Sequence, residues 1–231
     1  MRISIFIILF TTAAIAVGGC RDKPHPPVWE NVPESFSLFD IGPNTLITKD
    51  VRDRLNDTLG NAGVNPNTTI DLELKYSGFL KSYYPELDRL NHRINPKDSV
   101  RKEYPATKLA FRNMKQKKAL YNYVEIIFLN KASVPLMFQM TAEGNLDTLL
   151  DTLIQKYGAP RVVDLRDGKG KTYSWERNGD RLIVTQFISI YEQSEYYIMI
   201  VFANRLHQLL EAQKQEEEKK NRTLERTLDA F

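Results

Sequence analysis

The chain has 231 residues, of which 42% are hydrophobic and 26% charged, with a formal net charge of +3. This balance is ordinary for a globular protein, and the length allows one substantial domain or two small ones with a real core. The charge is too small to argue for nucleic acid, and a single cysteine, Cys20, excludes an intramolecular disulfide.

At the N-terminus, Arg2 supplies a minimal positive segment and Ile3 to Val17 forms an apolar stretch of signal-peptide length. It is too short to read comfortably as a spanning helix. The run ends in Val17-Gly18-Gly19-Cys20. These four residues resemble the lipobox of bacterial lipoproteins, in which an aliphatic residue, two small residues and a cysteine direct lipidation and cleavage. Val17 stands where leucine is usual and Gly18 where alanine or serine is usual. The resemblance implies that residues 1–19 are a lipoprotein signal peptide and that Cys20 becomes the acylated N-terminus. Membrane attachment then runs through acyl chains on Cys20, at about 0.8 kcal/mol per buried methylene. An ordinary secretory signal peptide and an uncleaved anchor are the alternatives. Arg21, where an acidic residue would mark inner-membrane retention, leans toward the outer membrane facing the periplasm.

Residues 20–34 form a proline-rich tether containing Lys23-Pro24-His25-Pro26-Pro27 and Pro33. Prolines favour extended polyproline II, which suits a semi-rigid spacer, and Trp29 within it is expected to dock onto the body. Residues 35–105 read as a mixed α/β region. Val51, Leu55 and Leu59 predict a helix from about Thr48, ended by Gly60 and Gly63. Ile70, Leu72, Leu74 and Tyr76 alternate with polar residues and predict a half-buried strand. Leu87, Leu90 and Ile94 predict a short helix after Pro85, with breaks at Asn95-Pro96 and Tyr104-Pro105.

Residues 106–203 read as an α+β sheet domain. Strands are predicted at Lys108 to Arg112, Tyr121 to Leu129 and Val134 to Thr141. Asn145 then caps a helix carrying Leu146, Leu149, Leu150, Leu153, Ile154 and Tyr157, which Gly158 and Pro160 stop. More strands follow at Val162 to Leu165, Lys171 to Arg177, Arg181 to Ile190 and Glu195 to Phe202. Asn178-Gly179 marks a tight hairpin between two of them. Strands, a helix and further strands predict an α+β fold: a mainly antiparallel sheet with a helix packed on one face. Residues 204–231 complete it as a long, charged C-terminal helix.

Lys156-Tyr157-Gly158-Ala159-Pro160, followed by strands bearing Tyr173 and Trp175, is similar to small α+β modules in bacterial envelope lipoproteins, including outer-membrane assembly lipoproteins. A helix stop plus a core tryptophan gives the same pattern without kinship, and that is the preferred reading.

Recognisable chemistry is sparse. Gly170-Lys171-Thr172 invites a nucleotide-binding reading, but a phosphate loop needs a glycine where Leu165 stands and a helix where a strand is predicted. A hairpin turn at Asp167 to Gly170 is preferred, and no nucleotide is expected. His25, His92 and His207 are dispersed; Asp88 and His92 can face together on a helix, but two groups fall short of a metal site. No serine sits in a Gly-x-Ser-x-Gly elbow. Glu125, Glu143, Asp147 and Asp151 are the carboxylates a fold could pair. No metal and no cofactor is expected.

The remaining features suggest contact surfaces. Lys108, Arg112, Lys115, Lys117 and Lys118 cluster around a predicted hairpin, where a solvated turn is the plainer reading and an anionic surface the sharper one. Leu224, Leu228 and Phe231 return on one face after the charged stretch Gln213 to Arg222, as either a frayed tail or a partner-binding helix. The leading expectation is a non-enzymatic, membrane-anchored envelope lipoprotein that binds another envelope protein. The alternative is an envelope ligand-binding module or hydrolase, with a site built from dispersed carboxylates and tyrosines such as Tyr83 and Tyr84. A third is a body that only spaces or scaffolds.

Overall fold

The computed structural model describes residues 29–74, 78–96, 102–113, 121–144, 147–166, 168, 170–188 and 194–228. In chain order they form α1 (Lys49–Leu59), β1 (Gly63–Pro66), α2 (Phe79–Tyr83), α3 (Pro85–Ile94), β2 (Ala106–Arg112), β3 (Tyr123–Leu129) and β4 (Pro135–Glu143). There follow α4 (Asp147–Tyr157), β5 (Arg161–Asp164), β6 (Gly170–Arg177), β7 (Asp180–Ile188), β8 (Ser194–Val201) and α5 (Ala203–Leu228). The strands make one sheet in the order β1-β2-β3-β4-β8-β7-β6-β5. Every neighbouring pair is antiparallel, so the fold is α+β as the strand–helix–strand order predicts.

Local chemistry sets several boundaries. The Thr48 hydroxyl accepts a hydrogen bond from the Val51 N–H at 3.4 Å and caps α1. At Gly60, with φ of 87°, the chain leaves the helix in a left-handed conformation. Asn178 and Gly179 both have positive φ, 52° and 85°, which lets a two-residue turn join β6 to β7 with Arg177 opposite Asp180.

The sheet is buried on both faces. Alternate residues such as Ile127, Met137, Ile183, Met199 and Val201 face one core, shared with α2, α3 and the start of α5. The intervening set, including Phe111, Val124, Ile126, Phe138, Leu182 and Ile198, faces a second core with α1 and α4. Helix α4 lies on one face as expected, and the opposite face carries its own helical layer. This explains why β3 and β8 are apolar almost throughout: a strand covered on both sides has little reason to alternate. The stretches 35–105 and 106–203 contribute to both cores, so they pack as one body.

One predicted element is absent. Ile70, Leu72 and Leu74 are buried and alternate with half-buried Asp71 and Glu73, but residues 70–74 belong to no strand. Side chains replace the ladder: the Leu72 N–H donates to Asn91 Oδ1 at 3.0 Å, and Asn95 Nδ2 donates to the Ile70 carbonyl at 2.7 Å. The alternation reports burial of an extended chain, not strand pairing. Tyr76 lies outside the described residues.

Residues 29–47 form a strap across the end of the body. Trp29 packs against the first core, as its docking reading expects, while Phe36, Ile41 and Ile47 enter the second. A buried polar network fastens the strap. Arg205, only 1% exposed, donates to the carbonyls of Pro43 (3.0 Å) and Glu30 (2.7 Å) and to Asn44 Oδ1 (2.6 Å). Ser35 donates to Asp180 Oδ2 at 2.5 Å, and Asp180 Oδ1 accepts the Asn204 N–H at the start of α5 at 3.3 Å.

Candidate functional site

Helix α5 changes character along its length. Its first turns bury Leu206 and Leu209 in the core. Further out, Lys102 reaches Gln213 Oε1 (3.2 Å) and Glu217 Oε1 (3.7 Å), and Lys131 reaches Glu216 Oε1 (3.7 Å). Residues 214–227 are exposed throughout. From Glu218 to Leu228 the helix continues for about 16 Å beyond these struts, at about 1.5 Å per residue.

Internal pairing supports this arm: Arg222 lies 3.6 Å from Glu218, Thr223 donates to the Lys219 carbonyl (2.9 Å) and Thr227 to that of Thr223 (2.8 Å). Leu224 is 60% exposed. Leu228 is the last residue of α5, and Phe231 lies outside the described residues. Residues 214–228 are helical.

The basic hairpin is only partly described. Lys115, Lys117 and Lys118 lie outside the described residues, as does Cys20. Of its flanks, Lys108 Nζ sits 3.4 Å from Glu125 Oε2, and the Arg112 guanidinium lies over the Tyr123 ring at 5.6 Å. The Tyr123 hydroxyl donates to Glu125 at 2.5 Å. Burial, reinforced by that carboxylate, pushes the hydroxyl above its ordinary pKa. Lys108 is thus engaged in an ion pair and adds little to a cationic surface.

The residues weighed for catalysis do not converge. Asp88 and His92 form a pair on α3 at 3.5 Å. Among the described residues no group of three or more ligands could hold a metal. His207 is held below its ordinary pKa by burial, with Arg93 adding to the effect. Tyr83 and Tyr84 are core residues: the Tyr83 hydroxyl accepts the Arg166 N–H (2.8 Å), and Tyr84 shares a hydrogen bond with Thr172 (2.7 Å). Glu125 projects from the α5 side of the sheet, whereas Asp147 and Asp151 ride on α4 across it.

Gly170-Lys171-Thr172 opens β6, not a helix, and a Cβ at Gly170 would overlap the Gln186 carbonyl on β7. That glycine serves close strand packing.

Residues 156–160 and Trp175, singled out for their spacing, do meet. The Trp175 indole N–H donates to the Gly158 carbonyl at 2.7 Å, which stops α4 against β6. A cleft opens beside this contact. Two residues that line it, Arg161 and Arg177, carry no sequence signal of their own, and the register, with Arg161 opposite Ser174, sets their side chains on opposite faces of the sheet.

Fold and arm together define a class: an antiparallel sheet protein clothed by helices on both faces, with a projecting C-terminal helix. No family model matches the chain, and neither a curated protein nor a solved structure matches it. Among the described residues no helix is long and apolar enough to cross a membrane.

Proposed function

We propose that this protein is a bacterial envelope lipoprotein, anchored through acyl chains on Cys20, whose body presents α5 to another envelope protein as a non-enzymatic assembly component. The observation that carries the binding role is the exposed helical arm beyond Glu217, with Leu224 on its surface. An exposed apolar stripe on a projecting helix is the form in which helices seat in a partner's groove. The anchor rests on Val17-Gly18-Gly19-Cys20. Eight residues, 21–28, separate Cys20 from the docked strap, and the nine steps from Cys20 to Trp29 span about 28 Å when extended as polyproline II. That reach lets the body stand clear of lipid headgroups while staying close to the membrane.

A photo-crosslinking side chain in place of Leu224, in cells fed a clickable fatty acid, tests both parts. A discrete adduct with one envelope protein, absent when the probe replaces body residue Val162, supports the arm. Label incorporation that vanishes in Cys20→Ser supports the anchor. Diffuse or matching adducts at the two probe positions overturn the first part, and label retained in Cys20→Ser overturns the second.

A further inference from the structure

The sheet has two edges, and they differ. β1 closes with Pro66, which has no N–H to offer. β5 is bordered only by β6. The Leu165 N–H donates to the Gly170 carbonyl at 3.0 Å, and this bond fixes the alternation along the pair. Val163 with Thr172 and Arg161 with Ser174 then exchange hydrogen bonds, whereas the N–H and C=O groups of Val162 and Asp164 point away from the sheet. Among the described residues these outward groups meet no further backbone partner. The Val162 side chain beside them is 50% exposed.

Positive charge gathers at one end of this edge, on both faces of the sheet. Arg161 shares a face with Val163, which packs against the first core. β6 continues past Ser174, the partner of Arg161, and where β5 stops short a cleft of about 470 Å³ opens beside residues 175–177. Arg177 shares the face of Trp175, which belongs to the second core, and Lys156 lines the cleft from α4. Neither arginine makes an ion pair among the described residues. Lys156 donates to Ser37 Oγ at 3.0 Å and lies over the Tyr157 ring at 5.0 Å, both uncharged partners. Glu176, the carboxylate in the lining, is taken up by Arg181 at 2.6 Å. At the other end of β5, Asp164 lies 3.8 Å from Lys171.

No single anion reaches both faces of a sheet, but a β-strand does, because its successive side chains alternate between them. We propose that β5 is a docking edge for an extended, acidic segment of another protein, which adds a strand to the sheet and runs on past Arg161 beside the cleft. The segment's backbone bonds the outward groups of Val162 and Asp164. Its residue opposite Arg161 carries a carboxylate on the first face. Its following residues bring carboxylates on the second face toward Arg177 and Lys156. Arg177 stands two strand spacings from the added strand, about 10 Å, which two long side chains span across the open cleft. An apolar side chain opposite Val162 covers that exposed valine. In this mode of recognition main-chain bonds give affinity and alternate side chains give specificity. A second copy of the chain is the poorer occupant: two β5 strands paired antiparallel about Val162 set their Arg161 side chains diagonally on one face, where like charges repel. The edge stands apart from the anchor and the α5 arm, and a probe at Val162 traps its own occupant as an adduct different from the one at Leu224.

The test uses the full chain and two labelled peptides, acetyl-Thr-Thr-Val-Glu-Glu-Glu-Glu-amide and the same peptide with lysine for glutamate. Fluorescence anisotropy reads binding, and amide hydrogen exchange reads its place. The glutamate peptide should saturate. The lysine peptide should bind at least about tenfold more weakly, as expected when two exposed ion pairs become like-charge contacts. Exchange should slow at the Val162 and Asp164 N–H groups and stay unchanged at Val163, whose N–H is already bonded to β6. Val162→Pro should abolish binding and leave the melting temperature within a few degrees, because an edge strand tolerates proline where the N–H faces outward. Arg161→Glu/Arg177→Glu should reverse the preference toward the lysine peptide, and it decides the matter if the proline variant fails to fold. Absence of saturation, equal binding of the two peptides, binding that survives Val162→Pro, or a charge-reversed variant that still prefers glutamate overturns the proposal. Sedimentation that shows self-association lost in Val162→Pro gives the edge to a second copy and overturns it as well.

Discussion

The near and far halves of α5 share one helix and obey different physics. Near the body, Arg205 and Leu206 are buried, and the helix is held by what surrounds it. Beyond Glu217, among the described residues, the same helix has only its own backbone, Arg222–Glu218 and two threonine hydroxyls. Isolated helices of this length are marginal in water, so the far half depends on the near half as its nucleus. The near half, by contrast, needs nothing from the arm.

Truncating Arg205 should break that comparison most forcefully. Arg205→Ala removes the donors that satisfy the Pro43 and Glu30 carbonyls and Asn44 Oδ1, and leaves buried acceptors unmet. We expect a loss of about 3 kcal/mol or more in denaturant unfolding. Arg205→Lys should recover less than half, because an ammonium cannot reach three separated acceptors as a planar fork does. Equal stability of Arg205→Ala and the parent would show that the strap is not held through α5.

The next effect is smaller and tied to pH. Burial raises the Asp180 pKa above its ordinary 3.8, against the lowering pull of the Ser35 hydroxyl, the Asn204 and Ala203 N–H groups and Arg205. The native carboxyl thus holds its proton more tightly than the unfolded one, and stability falls as pH rises from about 4 through the raised value. The slope attributable to this group cannot exceed about 1.4 kcal/mol per pH unit. Subtracting the Asp180→Asn stability curve from that of the parent, between pH 4 and 8, should isolate a decline that levels off once Asp180 is ionised in both states. A difference that climbs with pH would reverse the assignment.

The smallest effect should come from the arm. Leu224→Asp should change stability by no more than about 0.5 kcal/mol, since the side chain is exposed and makes no core contact. The same variant, with the photo-crosslinking side chain moved to Lys220 one turn earlier on α5, should lose the adduct proposed for this face. If thermal melts drop by several degrees instead, the arm is part of the fold and the division of α5 fails.

How much of this was legible depends on what each signal measures. Helical spacing at Val51, Leu55 and Leu59, the Asn178-Gly179 turn and the Gly158 stop each encode local geometry, and each element formed there. Alternation at Ile70, Leu72 and Leu74 encodes burial alone, so it points to a strand that residues 70–74 do not form. α2 is only five residues long, too short to show a period, and β1 is Gly-Val-Asn-Pro, a poor strand sequence that forms because β2 offers an edge.

The candidate sites divide in the same way. The exposed Leu224 could be seen in the sequence because a helix places residues by spacing alone. The cleft lined by Arg161 and Arg177 could not, because it forms only where β5 stops short along β6. Arg205 was hidden for a related reason: an arginine among polar helix residues reads as solvated until the segment that buries it, far earlier in the chain, is in place.

That distance has a consequence in time. Ser35 meets its partner 145 residues later, and the Glu30 carbonyl meets Arg205 across 175. Contacts so far apart in sequence close slowly, and on a ribosome the strap has no place to lie until residue 205 has been made. The first part of the body to be synthesised is therefore among the last to be finished, and until then its apolar residues, Phe36, Ile41 and Ile47, need a chaperone or an unfolded chain around them.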